Sequence, residues 1–334
     1  MPLAAPSDAA LTLLADIGGT NTRVALADGA VLRPDTIRRY ANAGHAALWP
    51  ILAEYLTAGG SPRIGRACVC AAGPVSGGKA TLTNLDWEVS DTELAARTGA
   101  AEAAVLNDLA AQGHALDALA PGALRPVLPG QPVSAPDATR LVIGIGTGFN
   151  AAPVHRIGRG CFVPASEAGH VTLPVTDAET LRLHDFIARR SGFADVEEVL
   201  SGRGVALCHA FVCAEAGRGT PLDPAGVLAG IGAGDPLAEA AGRLFVRVLA
   251  TVTGDLALTH LPHGGIHLIG GVARAIAPWL DRFGFATAFH ARGRFAALVR
   301  DFPICVVEDD YAALAGCAIY LDRLCKDRPA SSQN

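Results

Sequence analysis

Apolar positions along this chain fall into short blocks, and two periods recur among them. The run Leu13-Leu-Ala-Asp-Ile17 passes through Gly18-Gly19-Thr20 and re-enters an alternating run at Arg23-Val24-Ala25-Leu26. A run, a glycine pair and a second run predict a β-hairpin. Val31 to Tyr40 can supply a third strand. His45 to Leu56 places Leu48, Ile51, Leu52 and Tyr55 at helical spacing and stops at Gly59-Gly60. Arg66 to Ala72 reads as a buried strand ending in Gly73-Pro74, and Asp91 as the N-cap of a helix over Thr92 to Arg97. Ala103 to Leu106 is a further buried strand that ends at Asn107-Asp108, with a helix following to about Leu119. Alternation of strand and helix argues for an α/β sheet covered by helices, with ligands at the carboxyl ends of its strands. Asp16, Gly73 and Asn107-Asp108 stand at such ends.

Pro121 to Pro136 lacks periodicity and reads as a connection between halves. Beyond it, Arg140-Leu-Val-Ile-Gly-Ile145 runs through Gly146-Thr147-Gly148 into Phe149-Asn150-Ala-Ala-Pro-Val154. This repeats the opening hairpin, so the pattern predicts two α/β halves, each opening on a Gly-rich hairpin and facing the other across a cleft. Helices are expected over Asp177 to Arg190, Gly204 to Glu215, Pro236 to Leu261 and Ala273 to Arg282, and a last one over Asp310 to Leu324. Strands are expected at Gly265 to Gly271 and at Phe302 to Val307.

Composition narrows the class. At 334 residues, half of them hydrophobic and 18% charged, the chain suits a well-buried protein of two domains. A net charge of -5 without a basic run gives no footprint for nucleic acid or an anionic membrane. Met1 to Ala10 has no basic leader region and no apolar stretch is long enough to span a bilayer. The eight cysteines are scattered, several of them (Cys68, Cys70, Cys305, Cys317) in apolar runs and none in a C-x-x-C pair. Buried thiols in a reducing cytoplasm are the expectation.

Several groups could carry chemistry. Gly18 and Gly19 allow a ligand close to the backbone, and consecutive N–H groups of such a turn can bind an anion. Asp16 beside it is a hard oxygen donor suited to Mg²⁺ held through water, and Thr20, Asn21 and Thr22 add hydroxyl and amide groups. Asp108 reads either as a helix N-cap or as a general base, with Asn107 hydrogen-bonding a polyol. In Ser166-Glu167-Ala168-Gly169-His170-Val171, Glu167 and His170 flank two small residues; a pair for sugar hydroxyls suits them better than a metal site, for which no third ligand is at hand. Glu197 precedes a Ser-Gly turn and by itself reads as part of a solvated helix face. Two look-alikes are rejected. Gly73 to Ala80 fits G-x-x-x-x-G-K but has Ala80 where a P-loop needs a hydroxyl, and Gly144 to Gly148 lacks the third glycine of a dinucleotide fingerprint.

Asp16-Ile-Gly-Gly-Thr-Asn-Thr-Arg23, Leu106-Asn-Asp108, Gly146-Thr-Gly148, Glu167-Ala-Gly-His-Val171, Glu197-Glu-Val-Leu-Ser-Gly202 and Ile269-Gly-Gly-Val272 stand in the order seen in bacterial glucokinases. The chain resembles the proteobacterial, ATP-dependent type from Leu13 to about Leu321. That resemblance implies a two-domain actin-like ATPase fold of the ribonuclease H-like, hexokinase type. A small domain of 1–118 plus 310–334 and a large one of 119–309 would face a cleft. It also implies a cytoplasmic homodimer acting on D-glucose and ATP with Mg²⁺. On it, Asp108 is the base toward the sugar 6-hydroxyl, and Asn107, Glu167, His170 and Glu197 hold the other hydroxyls. The turns Gly18-Gly19-Thr20 and Gly146-Thr147-Gly148 take the phosphates, Asp16 the Mg²⁺, and Gly270-Gly271 the adenosine side.

The sequence departs from the family pattern at two places. Ala168 replaces the first glycine of Glu-Gly-Gly-His, which bears on sugar selectivity, and Asn150 follows Phe149 where Leu-Gly is usual, which bears on nucleotide affinity. No Cys-rich cluster follows His170 and no DNA-binding segment precedes Asp16, which argues against the zinc-bearing sugar kinase and repressor branch. The alternatives are a kinase for fructose, mannose or an N-acetylhexosamine, a sugar-binding sensor with vestigial activity, or an actin- or chaperone-like ATPase. The last leaves Glu167, His170 and Glu197 without a purpose.

Overall fold

The computed structural model describes residues 10–82, 85–131, 135, 137–158 and 160–327, the side chains of 325 and 327 excepted. Most of the opening Met1–Ala10 segment and parts of the stretches read above at 121–136 and 310–334 therefore fall on residues outside that description. Two compact units form, one of Met1–Leu119 with Asp310–Asn334, the other of Ala120–Asp309.

The first unit opens on the hairpin of β1 (Leu11–Ile17) and β2 (Asn21–Asp28), which sets Asp16 opposite Arg23. The strand expected over 31–40 is broken into β3 (Val31–Leu32) and β4 (Arg38–Ala41), both paired with β2. A 3₁₀ turn at Pro34–Thr36 separates them, where proline has no N–H for a ladder. There follow α1 (Leu48–Ala58), β5 (Ile64–Ala71), a small antiparallel sheet of β6 (Val75–Ser76), β7 (Lys79–Thr81) and β8 (Glu88–Ser90), α2 (Asp91–Thr98), β9 (Glu102–Asn107) and α3 (Asp108–Ala115). The would-be P-loop at 73–80 is thus the turn into that small sheet. β1, β5 and β9 run parallel, in the sheet order β3-β2-β1-β5-β9.

In the second unit the connection at 121–136 contains an edge strand, β10 (Leu124–Leu128), that the Pro- and Gly-rich sequence concealed. After it come β11 (Arg140–Ile145), β12 (Phe149–Ile157), β13 (Gly160–Phe162), α4 (Ala178–Ser191), α5 (Val196–Val199), α6 (Gly202–Ala216) and α7 (Pro224–Ala233). The unit closes with α8 (Pro236–His260), β14 (Ile266–Ile269), α9 (Gly271–Ile276), α10 (Phe285–His290), α11 (Ala296–Val299) and β15 (Ile304–Val307). Its sheet order is β10-β15-β14-β11-β12-β13. β11 pairs antiparallel with β12 and parallel with β14, as β1 does with β2 and β5. The weak sequence repeat is therefore a repeat of topology. α12 (Ala312–Asp327) returns the chain to the first unit.

Strand periodicity decides the packing. In β1, Leu13, Ala15 and Ile17 join the cluster under α1 and α2 with Ile51, Leu52 and Leu94, whereas Leu14 joins Cys68, Cys70, Ala111, Leu314, Cys317 and Leu321 under α3 and α12. Asp16 is two residues on from Leu14 and so shares the α12 face, beside Cys70. One cluster fills the second unit, where Leu141, Ile143, Ile145, Ile266, Leu268 and Val306 meet Phe211, Phe245 and Leu249 of α6 and α8. No described helix is long and apolar enough to cross a membrane.

Burial lowers the pKa of His114 in α3 and of His267 in β14 from 6.5 to about 4. Between those values the unfolded chain takes up protons that the folded chain refuses. The stability they contribute is thus complete above pH 6.5 and drains as the pH falls toward 4. The slope is at most about 1.4 kcal/mol per pH unit for each histidine. Thermal midpoints are expected to fall between pH 7 and 5, and His267→Leu to flatten part of that fall. An identical slope in the variant would remove His267 from the account.

Candidate functional site

At the β1–β2 turn the Gly18 N–H donates to the Asn21 carbonyl at 2.9 Å. The brace of this turn is Asn42, a buried residue just past β4. Its Nδ2 donates to the Gly18 carbonyl (2.7 Å), its Oδ1 accepts from the Thr22 hydroxyl (2.8 Å), and its N–H donates to the Thr20 carbonyl (2.9 Å). Thr22 is thereby spent on structure, and Gly19 and Thr20 are left lining an open cavity of ≈ 650 Å³ with Asn42, His45, Asp86 and Trp87. A cavity of that size suits a small ligand. Asp16, at the end of β1, accepts from Arg23 at 3.0 Å and from the Cys70 thiol at 3.6 Å. Burial raises its carboxyl pKa and Arg23 opposes the rise.

The β9–α3 junction corrects one assignment. Asn107, not Asp108, is the N-cap; its Oδ1 accepts from the N–H groups of Leu109 (2.9 Å) and Ala110 (3.3 Å). Its Nδ2 donates to the Gly73 carbonyl at 3.0 Å, which ties the junction to the loop after β5. Asp108 is the first helical residue, where the unpaired N–H groups favour a carboxylate; its Oδ1 accepts from Leu109 N–H at 2.8 Å. The same shift occurs at α2, where Ser90 caps in place of Asp91.

In the second unit Glu197 and the loop that carries Glu167 converge on the first two residues of β12. The Gly146-Thr147-Gly148 turn closes by Gly146 N–H to the Gly148 carbonyl (2.9 Å), and Gly202 N–H donates to the Gly146 carbonyl (2.8 Å). Glu197 accepts from Phe149 N–H at 2.9 Å through Oε2 and from Arg203 at 3.1 Å through Oε1. It is therefore no solvated face; its side chain is 18% exposed. A Cβ on Gly169 would overlap the Phe149 carbonyl, so that position needs glycine for space, whereas one on Gly148 would push the Glu197 carboxylate off its place. Asn150 turns to the loop that carries Glu167. Its Nδ2 donates to the Ser166 carbonyl (2.6 Å) and its Oδ1 accepts from Ala168 N–H (3.0 Å). The two departures from the family pattern are thus bonded to each other. His170, half-exposed, pairs through Nδ1 with Asp195 at 3.2 Å, which raises the imidazole pKa. Asp195 also caps α5 by accepting from Glu198 N–H at 2.9 Å. Gly270, at φ +106°, precedes α9 and packs on the Ile145 carbonyl, which joins the end of β14 to the end of β11.

Asn42, Asp195 and the cavity residues His45, Asp86 and Trp87 were not singled out as site residues in the sequence. An Asp-x-x-Glu cap signal at Asp195–Glu198 was legible, but nothing in it announced the partner His170.

The Glucokinase family model matches residues 13–324. A glucokinase of Stenotrophomonas maltophilia (strain K279a) is 34% identical over 95% of this chain and 96% of its own length. One of Caulobacter vibrioides (strain NA1000 / CB15N) is 34% identical over 93% of this chain and 95% of its own. Among solved structures, a glucokinase from an Antarctic psychrotroph superposes with a TM-score of 0.81 at 28% identity, covering 94% of this chain and 99% of its own.

Asn42→Ala removes the two side-chain bonds of the brace, to the Gly18 carbonyl and from the Thr22 hydroxyl, keeps the backbone bond to Thr20, and leaves the Thr22 hydroxyl buried without that partner. A cost of about 1–3 kcal/mol in urea-unfolding free energy is expected. A change within experimental error would show that the turn holds without its brace.

Proposed function

The chain belongs to the glucokinase family, and we propose that it moves the γ-phosphoryl group of ATP to the 6-hydroxyl of D-glucose, with Asp108 as general base. The reading rests on one local observation above others. Asn107 takes over the capping of α3, so Asp108 keeps a fixed place on the first helical turn as a carboxylate rather than serving as the cap. There it can receive the 6-hydroxyl proton as that oxygen attacks the γ-phosphorus and the bond to the bridging oxygen of ADP breaks. Glu167, His170, Glu197 and Asn107 are the groups we assign to the other hydroxyls. His170 is held for the task by Asp195, whereas Glu197 and Asn107 have part of their capacity committed within the fold.

The Gly18-Gly19-Thr20 and Gly146-Thr147-Gly148 turns would offer N–H groups to phosphate oxygens, and Gly270-Gly271 would lie toward the adenosine. Phosphoryl transfer asks chiefly for this kind of placement. The residues present fit Mg²⁺: Asp16 is a buried oxygen donor beside the hydroxyl-bearing turn, and no cage of three His, Cys, Asp or Glu side chains forms among the described residues. An ion held by one carboxylate, water and phosphates matches such a donor set. When bound it would neutralise phosphate charge. The family resemblance supports a cytoplasmic homodimer.

A coupled assay of ADP release with Mg·ATP across a panel of hexoses is expected to give turnover with glucose well above the rest. Preference for another hexose would move attention to Ala168; no sugar-dependent release from folded protein would leave a sensor. Asp108→Asn is expected to lower kcat by about 10²–10⁴-fold while calorimetry still detects glucose binding. Near-full turnover would refute the base. Glu167→Gln is expected instead to raise the KM for glucose.

A further inference from the structure

Near the β11–β12 turn, the Asn150 side chain reaches both sides of Glu167. Its Nδ2 donates to the carbonyl of the preceding residue, Ser166, at 2.6 Å, and its Oδ1 accepts from the N–H of the following residue, Ala168, at 3.0 Å. The same Oδ1 accepts from Ala151 N–H at 2.8 Å, which fixes the amide on its own strand. Between the two anchors the backbone of Glu167 lies at φ −127°, ψ 53°, neither helical nor extended, and no ladder bond of a sheet supports it. Three residues that precede it, 163–165, belong to no regular element either.

From this clasp we infer that Asn150 is a positioning residue for Glu167 and, through it, a determinant of how the sugar is held. The inference rests on the proposed role of Glu167 in binding glucose. It relocates the consequence of Asn150 from the nucleotide, where its neighbourhood to the Gly146–Gly148 turn had put it, to the sugar. The side chain donates to the Ser166 carbonyl and accepts from the N–H groups of Ala151 and Ala168, so among the described residues its hydrogen bonds lie toward the Glu167 loop and its own strand. It also gives Ala168 a reason. A loop held by a side-chain amide at both flanks of Glu167 no longer depends on the backbone freedom of a glycine next to it. Fixing a carboxylate within about half an ångström of its ligand is the usual work of such supporting hydrogen bonds.

The test compares wild type with Asn150→Ala, which loses the clasp, and Asn150→Asp, which keeps the shape and the acceptor but loses the donor to Ser166. Glucose and ATP KM values are measured separately, together with the glucose Kd from tryptophan fluorescence, which reads binding without turnover. The expected result is a rise of about tenfold in glucose KM and Kd for Asn150→Ala, with a smaller rise for Asn150→Asp and ATP KM within about twofold of wild type. If glucose Kd stays within about twofold in a folded variant, or if glucose and ATP KM rise together, the inference is overturned. Should Asn150→Ala fail to fold, the isosteric Asn150→Asp carries the same criteria. A wild-type protein that binds glucose without phosphorylating it would defeat the kinase reading and leave the effect on Kd to decide this one.

Discussion

Backbone N–H and C=O groups removed from water must find partners, and at the ends of strands the sheet ladder stops providing them. Around the candidate site, Asn42, Asn107, Glu197 and Asn150 complete the ladder where it stops. Asn42 takes the Gly18 carbonyl, Asn107 the Gly73 carbonyl and the first N–H groups of α3, Glu197 the Phe149 N–H, and Asn150 the peptide groups on either side of Glu167. Each is an amide or a carboxylate, a group with more than one hydrogen-bonding site, so each can close two segments at once. The candidate residues for phosphate and sugar all lie on the segments closed in this way.

Structure and chemistry therefore compete for the same atoms. Asn107 spends its oxygen on the helix and one N–H on Gly73, and Glu197 has an interaction at each oxygen. Such groups are held rigid, which favours catalysis by placement, and the cost is a reduced number of lone pairs for a ligand. His170 follows the other arrangement: it stands half-exposed and a separate residue, Asp195, orients it.

Period and punctuation made most strands and long helices readable in the sequence, including the paired Gly-rich hairpins that announce the repeated topology. The errors have physical causes. At Ser90-Asp91 and Asn107-Asp108 both residues are good caps, and the choice falls to the one that the ladder still holds extended; Ser90 pairs with Lys79 and Asn107 with Ala71. β10 was hidden by Pro126 at a sheet edge, a place where the missing N–H does no harm. α7 was hidden by its alanines and glycines, which give no amphipathic contrast. Asn42 and Asp195 were invisible for a different reason: their partners lie 24 and 25 residues away, at Gly18 and His170, and no local spacing encodes such a pairing.

The return of α12 to the first unit has a consequence for the order of events at the ribosome. Residues of the second unit are contiguous and can gather their core as soon as β15 has emerged. The first unit is synthesised earlier but cannot finish earlier. Leu14, Cys68 and Ala104 have only α3 over that face of the sheet until Leu314, Cys317 and Leu321 arrive. From the emergence of β9 to the end of translation the nascent chain thus carries an apolar sheet face that is only partly covered, and the last helix to be made is the one that relieves it.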